Sequence, residues 1–270
     1  MNISTVSAIV GAAAGVLIVK QGNRPVFSAC GSADPLEELA VVIDLPAAVP
    51  RVLAEVGIAF RVSSVSHPAM RHASAARGRL GVPTVFTVLG PFTNPAPLGA
   101  AAIGVADART APFVAGVPAR RGRSALVFRG DDGLAEPTVT TTSQVWTARA
   151  GTLRQETFDP RDLGIPPAAP DCLRGDGPAH NAEITLEILT GTLSPVRDAI
   201  LLSATGELAA PTPAATPGTA PVRERMGVRG ESRSRRRRRR RRDDPRPVGH
   251  GDYRTGREHD ITDRVNGRHR

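Results

Sequence analysis

An abrupt change of composition near Ala210 limits what this chain can fold into. Pro, Thr, Ala and Gly dominate residues 211–221, and Arg235–Arg242 is an unbroken run of eight arginines. Residues 211–270 carry 18 Arg against 8 acids, whereas residues 1–210 carry 17 basic and 18 acidic residues. A segment without apolar periodicity cannot bury enough surface to offset its chain entropy. We therefore predict a disordered Arg-rich tail over 209–270 and a folded, nearly neutral part before it.

The Arg-rich tail leaves two interpretations open. Eight adjacent cations attract phosphates, so the tail is compatible with an arm that binds nucleic acid or another polyanion. The same composition is also typical of a stretch read out of frame, which would have no evolved function. In both cases the formal charge of +9 describes the tail, and nucleic-acid binding is expected only through it.

Residues 1 to about 205 alternate between helix-like and short β-branched segments, a pattern that predicts an α/β fold. The first helix is expected to be capped by Asn2, Ser4 or Thr5 and to be broken at Gly15. The predicted strands are Leu17–Val19, Thr84–Thr87, Ala101–Val105, Ser124–Phe128 and Gln144–Ala148. The further predicted helices are Ala33–Leu39, Pro46–Val56, Ala69–Leu80, Thr110–Ala119, Ala179–Leu189 and Val196–Leu208.

The apolar run Val6–Val19 does not have the pattern of a targeting or membrane segment. No Lys or Arg precedes it, and its 14 residues are too few to span a bilayer. The two cysteines, Cys30 and Cys172, suit a reducing compartment and indicate no disulfide framework. We therefore expect a cytoplasmic protein without a membrane partner.

Two polar clusters follow predicted elements near the front of the chain. The first is N-I-S-T at Asn2–Thr5, where hydroxyls, an amide and free backbone N–H groups at a helix start can hold phosphate oxygens, although simple capping explains it equally well. The second is K-Q-G-N-R at Lys20–Arg24, followed by Ser28 and by G-S-A-D at Gly31–Asp34. It comes just after a predicted buried strand, where open α/β sheets have their ligand crevice. This mixture of cation, glycine and amide indicates a phosphate-binding loop.

A third polar cluster, G-D-D-G-L-A-E at Gly130–Glu136, follows the predicted strand Ser124–Phe128. Carboxylates on a loop at a strand end are natural ligands for Mg²⁺, which also accepts water and substrate phosphates. An Asp-Gly turn with solvated acids would give the same letters. Both interpretations stay open on the residues alone.

The order of these clusters resembles that of one family once three further features are added: H-P-A-M-R-H at His67–His72, Arg77, and L-G-P-F-T-N-P at Leu89–Pro95. The anthranilate phosphoribosyltransferases carry N-x-S-T, K-H-G-N-R-x-x-S-S, G-S-A-D, H-P-x-x-R-x-x-x-x-x-R, L-G-P-L-x-N-P and G-x-D-G-L-D-E in this order. The resemblance covers Asn2 to about Ala204. Six motifs in one order are far more specific than any one of them.

The resemblance implies a nucleoside phosphorylase/phosphoribosyltransferase-type α/β catalytic domain. This domain would comprise residues 1–31 and 57–208, and residues 32–56 would be a remnant of the family's small helical domain. Family members are homodimers through helices that precede the first motif, and a glycine-rich loop, G-T-G-G-D, lies just before it. Because the chain begins at Met1, we expect the dimer helices and that phosphate-cradling loop to be missing.

The resemblance also implies an activity, the transfer of a phosphoribosyl group from phosphoribosyl pyrophosphate to the amine of anthranilate in tryptophan biosynthesis. Asn23 and Arg77 match the anthranilate contacts. Ser4 and Glu136 match the ligands of the Mg²⁺ cofactor. The positions that match phosphoribosyl pyrophosphate contacts are Asn2, Ser4, Thr5, Lys20, Gly22, Asn23, Arg24, Ser28 and Ser32.

Three substitutions depart from the family's motifs. Ala135 replaces the first carboxylate of the Asp-Glu pair, which predicts weaker magnesium binding unless Asp131 or Asp132 substitutes for it. Gln21 replaces a histidine and Phe27 a serine near the substrates. With the missing loop, these changes predict impaired or absent catalysis.

Two other functions are compatible with parts of the sequence. A nucleoside-phosphorylase-like enzyme shares part of the Lys20 region, but Arg77 and the Leu89–Pro95 motif do not favour it. A non-catalytic protein that binds polyanions would depend on Arg235–Arg242 alone. Phosphate-dependent release of a free base would indicate the first, and salt-sensitive DNA binding that requires the tail would indicate the second.

Overall fold

The chain begins with a helix that leads into a parallel pair of strands. The computed structural model describes residues 1–25, 29–43, 45–67, 69, 71–80, 84–94 and 99–209, all within one compact unit, Met1–Gly230. Helix α1 spans Ile3–Ala13, and Gly15, with a φ of 97°, follows its end as predicted. Strand β1 (Ile18–Gly22) pairs in parallel with β2 (Ile58–Val62), which sets Lys20 opposite Phe60.

Short helices precede and follow β2 along the chain. Between β1 and β2 lie α2 (Asp34–Glu38), a 3₁₀ turn (Pro46–Ala48) and α3 (Val49–Val56). After β2 come α4 (Ser63–Ser66), α5 (Arg71–Leu80), α6 (Val85–Leu89) and a 3₁₀ turn (Gly90–Thr93). Ala33, Leu36 and Ile43 pack with Val62 of β2, so the segment that follows the β1 loop is attached to the strand pair by apolar contact.

A four-stranded mixed sheet forms the second half. Its strands are β3 (Ala100–Gly104), β4 (Ser124–Gly130), β5 (Ser143–Arg149) and β6 (Thr152–Phe158), in that spatial order. β3 and β4 are parallel and are joined through α7 (Ala111–Arg120), whereas the other neighbours are antiparallel. Helices α8 (Pro178–Leu189) and α9 (Pro195–Ala209) follow.

The core lies on both faces of β4. Leu126 and Phe128 pack with Ile3 and Val6 of α1 and with Ile200 of α9. Val127, which points to the opposite face, packs with Trp146 and with α7. This arrangement explains why β4 is a continuous apolar run instead of an alternating one. It also fixes α1 and α9 side by side under the sheet, next to the end of β1.

The α/β class, four of the five predicted strands and the predicted helices are confirmed, but one strand prediction is wrong. Thr84–Thr87 begins helix α6, with Thr84 in extended conformation just before it. Val85 is 60% exposed, which is unlike a residue of a buried strand. Two strands, β2 and β6, were not among the predictions.

Two smaller predictions also need correction. Asn2 occupies the N-cap position of α1, but its side chain makes no capping hydrogen bond and instead donates to the carbonyl of Gly31. Leu17, placed in a buried strand, is 68% exposed and lies before β1. Both predictions used only the neighbouring residues in the sequence. The Asn2 side chain is instead held by Gly31, which is distant in the chain.

Several predictions concern residues outside the described ranges. These are residues 210–270 of the tail predicted over 209–270, the loop residues Phe27 and Ser28, and Pro68, Met70 and Pro95 of the family motifs. Ala209, placed in the tail, instead ends α9. Across the described ranges, no helix combines the length and the apolar character needed to cross a bilayer.

Candidate active site

A cleft of about 610 Å³ lies between β1 and β3, within the size range of small-molecule sites. β1 forms one wall, and β3 with Phe128 of β4 forms the other. Helices α1 and α9 and the loop after β4 contribute Ser4, Glu207 and Glu136. The cleft therefore gathers a lysine, two carboxylates and several hydroxyls at one end of a parallel strand pair.

The loop after β1 is built around close backbone contacts. The backbone N–H of Asn23 donates to Ser32 Oγ at 3.2 Å. A Cβ added to Gly22 would lie 2.5 Å from Ser32 Oγ and 2.5 Å from Phe60 Cζ, so any larger residue would force these two side chains to shift. Thr5 Oγ1 donates to the carbonyl of Ser32 at 3.3 Å. These contacts hold the loop against the start of α1.

Asn2 connects three segments of this region. Its amide donates to the carbonyl of Gly31 at 3.0 Å, and its Oδ1 accepts from the buried Asn181 amide at 2.9 Å. The Cys30 thiol also donates to Asn2 Oδ1, at 3.3 Å. Asn2 therefore acts in the structure as a joint between α1, the β1 loop and α8, and both of its polar groups are engaged.

Lys20 is the cation of the cleft. Burial lowers the pKa of its ammonium, while Glu207 and then Glu136 act in the opposite direction. Its Nζ donates to the carbonyl of Gln21 at 3.4 Å, a long contact. A half-buried ammonium with one weak partner is well suited to bind an anionic oxygen.

Glu136 faces Lys20 from the loop after β4. Burial raises the pKa of its carboxyl, whereas Lys20 and a hydrogen bond from Ser4 lower it. The neighbouring Ala135 also lines the cleft, but it brings no carboxylate. Ser4 and Glu136 thus present a hydroxyl and a carboxylate together, two oxygen donors of the kind that Mg²⁺ accepts.

Asp131 and Asp132 do not replace the carboxylate that is missing at Ala135. The Asp132 carboxylate accepts from the hydroxyls of Thr138 and Thr140 at 2.6 and 2.5 Å. Burial opposes ionisation of Asp132, but these hydroxyls outweigh it and lower its pKa. Asp131 accepts from Thr142 Oγ1 at 2.6 Å. Both acids accept hydrogen bonds within the β4–β5 connection and stabilise it. Neither acid lines the cleft.

Glu207, on the last turn of α9, was not among the predicted site residues. Its Oε1 accepts from the fully buried hydroxyl of Ser7 at 2.9 Å, and its Oε2 is buried with no partner among the described residues. Burial raises its pKa to about 7, although Ser7 and Lys20 act against that rise. Helical spacing from the buried Ile200 and Ser203 would have revealed an acid on the core-facing side.

The raised pKa of Glu207 predicts a pH-dependent stability. In an unfolded chain the group titrates near 4.5, so its stabilising contribution is complete below that pH and is lost as pH rises through about 7. We expect Glu207→Gln to raise the melting temperature at pH 8 by about 4 °C and to change it little at pH 5. Thermal unfolding at the two pH values measures this, with the exposed Glu187→Gln as control. Equal melting temperatures of variant and wild type at pH 8 would show that Glu207 is solvated.

A further set of polar groups lines the cleft around Gly90. Gln21 Nε2 donates to the carbonyl of Gly90 at 3.3 Å and to Ser63 Oγ at 3.4 Å. The ring of His67 contacts Thr93 Oγ1 at 3.1 Å through Nε2. Helix α5 carries Arg77 in this half of the structure, but the Arg77 side chain is outside what the structure describes.

The predicted site residues fall into four groups. Ser4, Lys20, Gly22, Asn23 and Glu136 line the cleft. Asn2, Thr5 and Ser32 lie behind it and hold its loop. Arg24 points to the exposed Glu37, with Nη2 2.6 Å from Oε1. The fourth group, Ser28 and the side chain of Arg77, is not described.

Comparison with known proteins identifies relatives of this chain. Residues 1–223 match the family described as "Glycosyl transferase family, a/b domain", a match that extends beyond Ala204. The chain is similar to an anthranilate phosphoribosyltransferase of Nocardioides, with 51% identity over 236 residues that cover 87% of this chain and 68% of the relative.

Two solved structures are similar in fold. An anthranilate phosphoribosyltransferase from Thermus thermophilus matches with a TM-score of 0.74 and 36% identity, over 84% of this chain and 67% of that one. The Saccharomyces cerevisiae enzyme, solved in complex with PRPP and Mg, matches with a TM-score of 0.69 and 27% identity, over 75% and 58%. The chain thus spans about two thirds of the length of two of these proteins and 58% of the third.

Proposed function

The chain belongs to the anthranilate phosphoribosyltransferase family, and we propose that it transfers a phosphoribosyl group from phosphoribosyl pyrophosphate to the amine of anthranilate. The observation that carries this proposal is the position of Lys20. Its ammonium lies half-buried in a cleft large enough for a small molecule, which Ser4 and Asn23 also line. A diphosphate ester is the kind of ligand that such a cation, with hydroxyl and amide neighbours, recognises.

The reaction requires electrostatic stabilisation more than acid–base chemistry. The bond between the ribosyl carbon and pyrophosphate breaks, the amine nitrogen of the acceptor forms the new bond, and the amine then loses a proton. Negative charge grows on the departing pyrophosphate in the transition state. A preorganised cation stabilises that charge best where water is scarce, as it is around the half-buried Lys20.

The part of the cleft lined by Gln21 and His67 suits an aromatic acid with an amine. Asn23, which follows β1, also lines the cleft, and we propose that it contacts both substrates. We propose that Arg77 of α5 pairs with the acceptor carboxylate, since a guanidinium binds a carboxylate in a two-pronged geometry. Gln21, which binds the Gly90 carbonyl, would shape the wall where the family has histidine.

Further contacts to phosphoribosyl pyrophosphate are proposed through the β1 loop. Gly22 allows close approach of the ligand to the backbone, and Ser28 and Arg24 would contribute from the same loop. Asn2, Thr5 and Ser32 support that loop through the hydrogen bonds given above, so their contribution is to keep it in position. Substitution of Asn2, Thr5 or Ser32 should therefore change the affinity for the phosphoribosyl donor more than the rate of the chemical step.

The donor set fits a magnesium ion bound largely by substrate and water. Ser4 and Glu136 supply two oxygens, and among the described residues no group of three or more His, Cys, Asp or Glu could hold a metal alone. Mg²⁺ commonly binds through one or two protein oxygens plus phosphates. When bound, it would neutralise charge on the pyrophosphate. With Ala135 in place of a second carboxylate, we propose that its affinity is lower than in relatives that carry both acids.

Glu136→Gln tests the magnesium proposal. We expect the Mg²⁺ concentration for half-maximal activity to rise by about tenfold or more, because the remaining carboxylate of the pair is removed. Initial rates measured across a magnesium titration give this value, with the exposed Glu183→Gln as control. An unchanged magnesium requirement would exclude Glu136 as a ligand.

The activity itself is tested on the purified chain with phosphoribosyl pyrophosphate, anthranilate and Mg²⁺. Loss of anthranilate fluorescence that depends on all three components is the expected result. The rate should be below that of relatives with an Asp-Glu pair, since lost electrostatic donors reduce turnover by about 100-fold or more. A parallel assay for phosphate-dependent cleavage of nucleosides distinguishes the phosphorylase alternative, and base release there with no anthranilate consumption would refute the proposal.

A further inference from the structure

Lys20 is the only lysine in the chain, which otherwise uses 34 arginines as its cations. The two side chains differ in one relevant respect. An arginine stays charged in any protein environment, whereas a lysine loses its charge readily when it is buried. A phosphate-binding lysine in a dry cleft therefore needs a counter-charge that keeps it protonated.

Within the described part of the chain, the carboxylates near Lys20 act on its charge without forming a direct ion pair with it. Among the described residues, no carboxylate lies within 4.0 Å of its ammonium, so the cation is not consumed in a contact ion pair. Glu207 is nevertheless the strongest negative influence on it, ahead of Glu136. Glu136 already interacts with Ser4 on the magnesium side. Glu207 has no such role.

Glu207 is held in a fixed position on the α1–α9 interface. The hydroxyl of Ser7, itself fully buried, donates to Oε1 at 2.9 Å. Oε2 lies against Gly11, where an added Cβ would come within 3.0 Å of it. Oε2 is buried and Oε1 accepts from Ser7, so the carboxylate keeps a fixed position in the cleft that Lys20 also lines.

We propose that Glu207 is a positioning residue for Lys20: anchored by Ser7 at the α1–α9 interface, its carboxylate keeps the single lysine of the chain charged and available to a diphosphate in the cleft. The identity of that diphosphate rests on the proposed function, but the charge partnership does not. The titratable groups that face Glu207 and Lys20 across the cleft are each other and Glu136.

The partnership can be measured directly because lysine labelled with ¹³C at Cε reports on one site in this chain. The NMR signal of Lys20 is followed as pH is raised, in wild type, Glu207→Gln and the exposed control Glu187→Gln. We expect the titration midpoint of Lys20 to fall by about one pH unit in Glu207→Gln and to stay at the wild-type value in the control. An unchanged midpoint in Glu207→Gln overturns the proposal.

A second variant and a binding measurement complete the test. Ser7→Ala keeps the glutamate but removes its anchor, and should move the Lys20 midpoint in the same direction by a smaller amount. Calorimetric titration with inorganic pyrophosphate at pH 8 should show about tenfold weaker binding to Glu207→Gln. Tighter binding would mean that Glu207 repels the ligand and would overturn the positioning role. If wild type binds no pyrophosphate, the proposed function fails, while the NMR titration still decides whether Glu207 supports the charge of Lys20.

Discussion

Replacing Lys20 by alanine is expected to lower kcat/KM for phosphoribosyl pyrophosphate by about 100- to 1000-fold. The ammonium is the one cation among the described residues that line the cleft, so nothing there can take its place. Negative charge develops on the leaving pyrophosphate, and the loss should therefore appear in kcat as well as in KM. Steady-state kinetics with anthranilate in excess and the donor varied give both values.

Two control variants test whether the effect is specific to a lysine at position 20. Arg154→Ala removes an exposed cation from β6 and should leave the kinetics unchanged. Lys20→Arg keeps the charge, but its rigid planar guanidinium presents donors in a different geometry from an ammonium, so it should recover only a small part of the activity. A Lys20→Ala variant with near wild-type kcat/KM would remove the basis of the proposed function.

The sequence predicted that the residues at the end of β1 line a cleft, because their position depends on neighbours in the chain. Lys20 and Asn23 are positioned by a strand and by the turn that follows it, and ligand crevices lie at such strand ends. Glycine at 22 also follows from a local constraint, the close approach of Ser32. The resemblance to the family, carried by the same short motifs, is confirmed by the comparison.

What the sequence did not predict depends on contacts between distant segments. Strand β2 is short, and only its pairing with β1 defines it. Thr84–Thr87 has the composition of a strand, but helix α6 begins there. Glu207 stands in an otherwise apolar helix, and its effect on Lys20 requires α9 to pack beside α1. None of these contacts can be predicted from the residues that are neighbours in the sequence.

The loop that carries Glu136 is likewise fixed by a distant residue, Gly104 at the end of β3. A Cβ added to Gly104 would lie 1.6 Å from the carbonyl oxygen of Ala135 and 2.7 Å from its carbonyl carbon. Both atoms belong to the backbone, which cannot move aside as the end of a flexible side chain can. The absence of a side chain at 104 therefore sets the depth at which Ala135 and Glu136 enter the cleft.

Gly104→Ala should consequently impair both stability and the metal-binding side of the site. We expect the free energy of unfolding to fall by about 2–3 kcal/mol, in the range for forcing extra volume into a packed position. Displacement of the Ala135–Glu136 segment should also separate Glu136 from Ser4 and raise the magnesium concentration needed for activity by about tenfold. Urea unfolding and a magnesium titration of the same preparation measure the two effects.

Gly116→Ala provides the matched control, because nothing lies within 4 Å of a Cβ at that position in helix α7. There alanine should be neutral or should stabilise by about 0.5–1 kcal/mol, since glycine weakens a helix interior. If Gly104→Ala behaved like this control in unfolding and in magnesium titration, the strand end would not define the position of Glu136. If Gly104→Ala lost stability but kept its magnesium requirement, the loop and Ser4 would have moved together. The Glu136 carboxylate and the Ser4 hydroxyl would then stay paired without the close contact at Gly104.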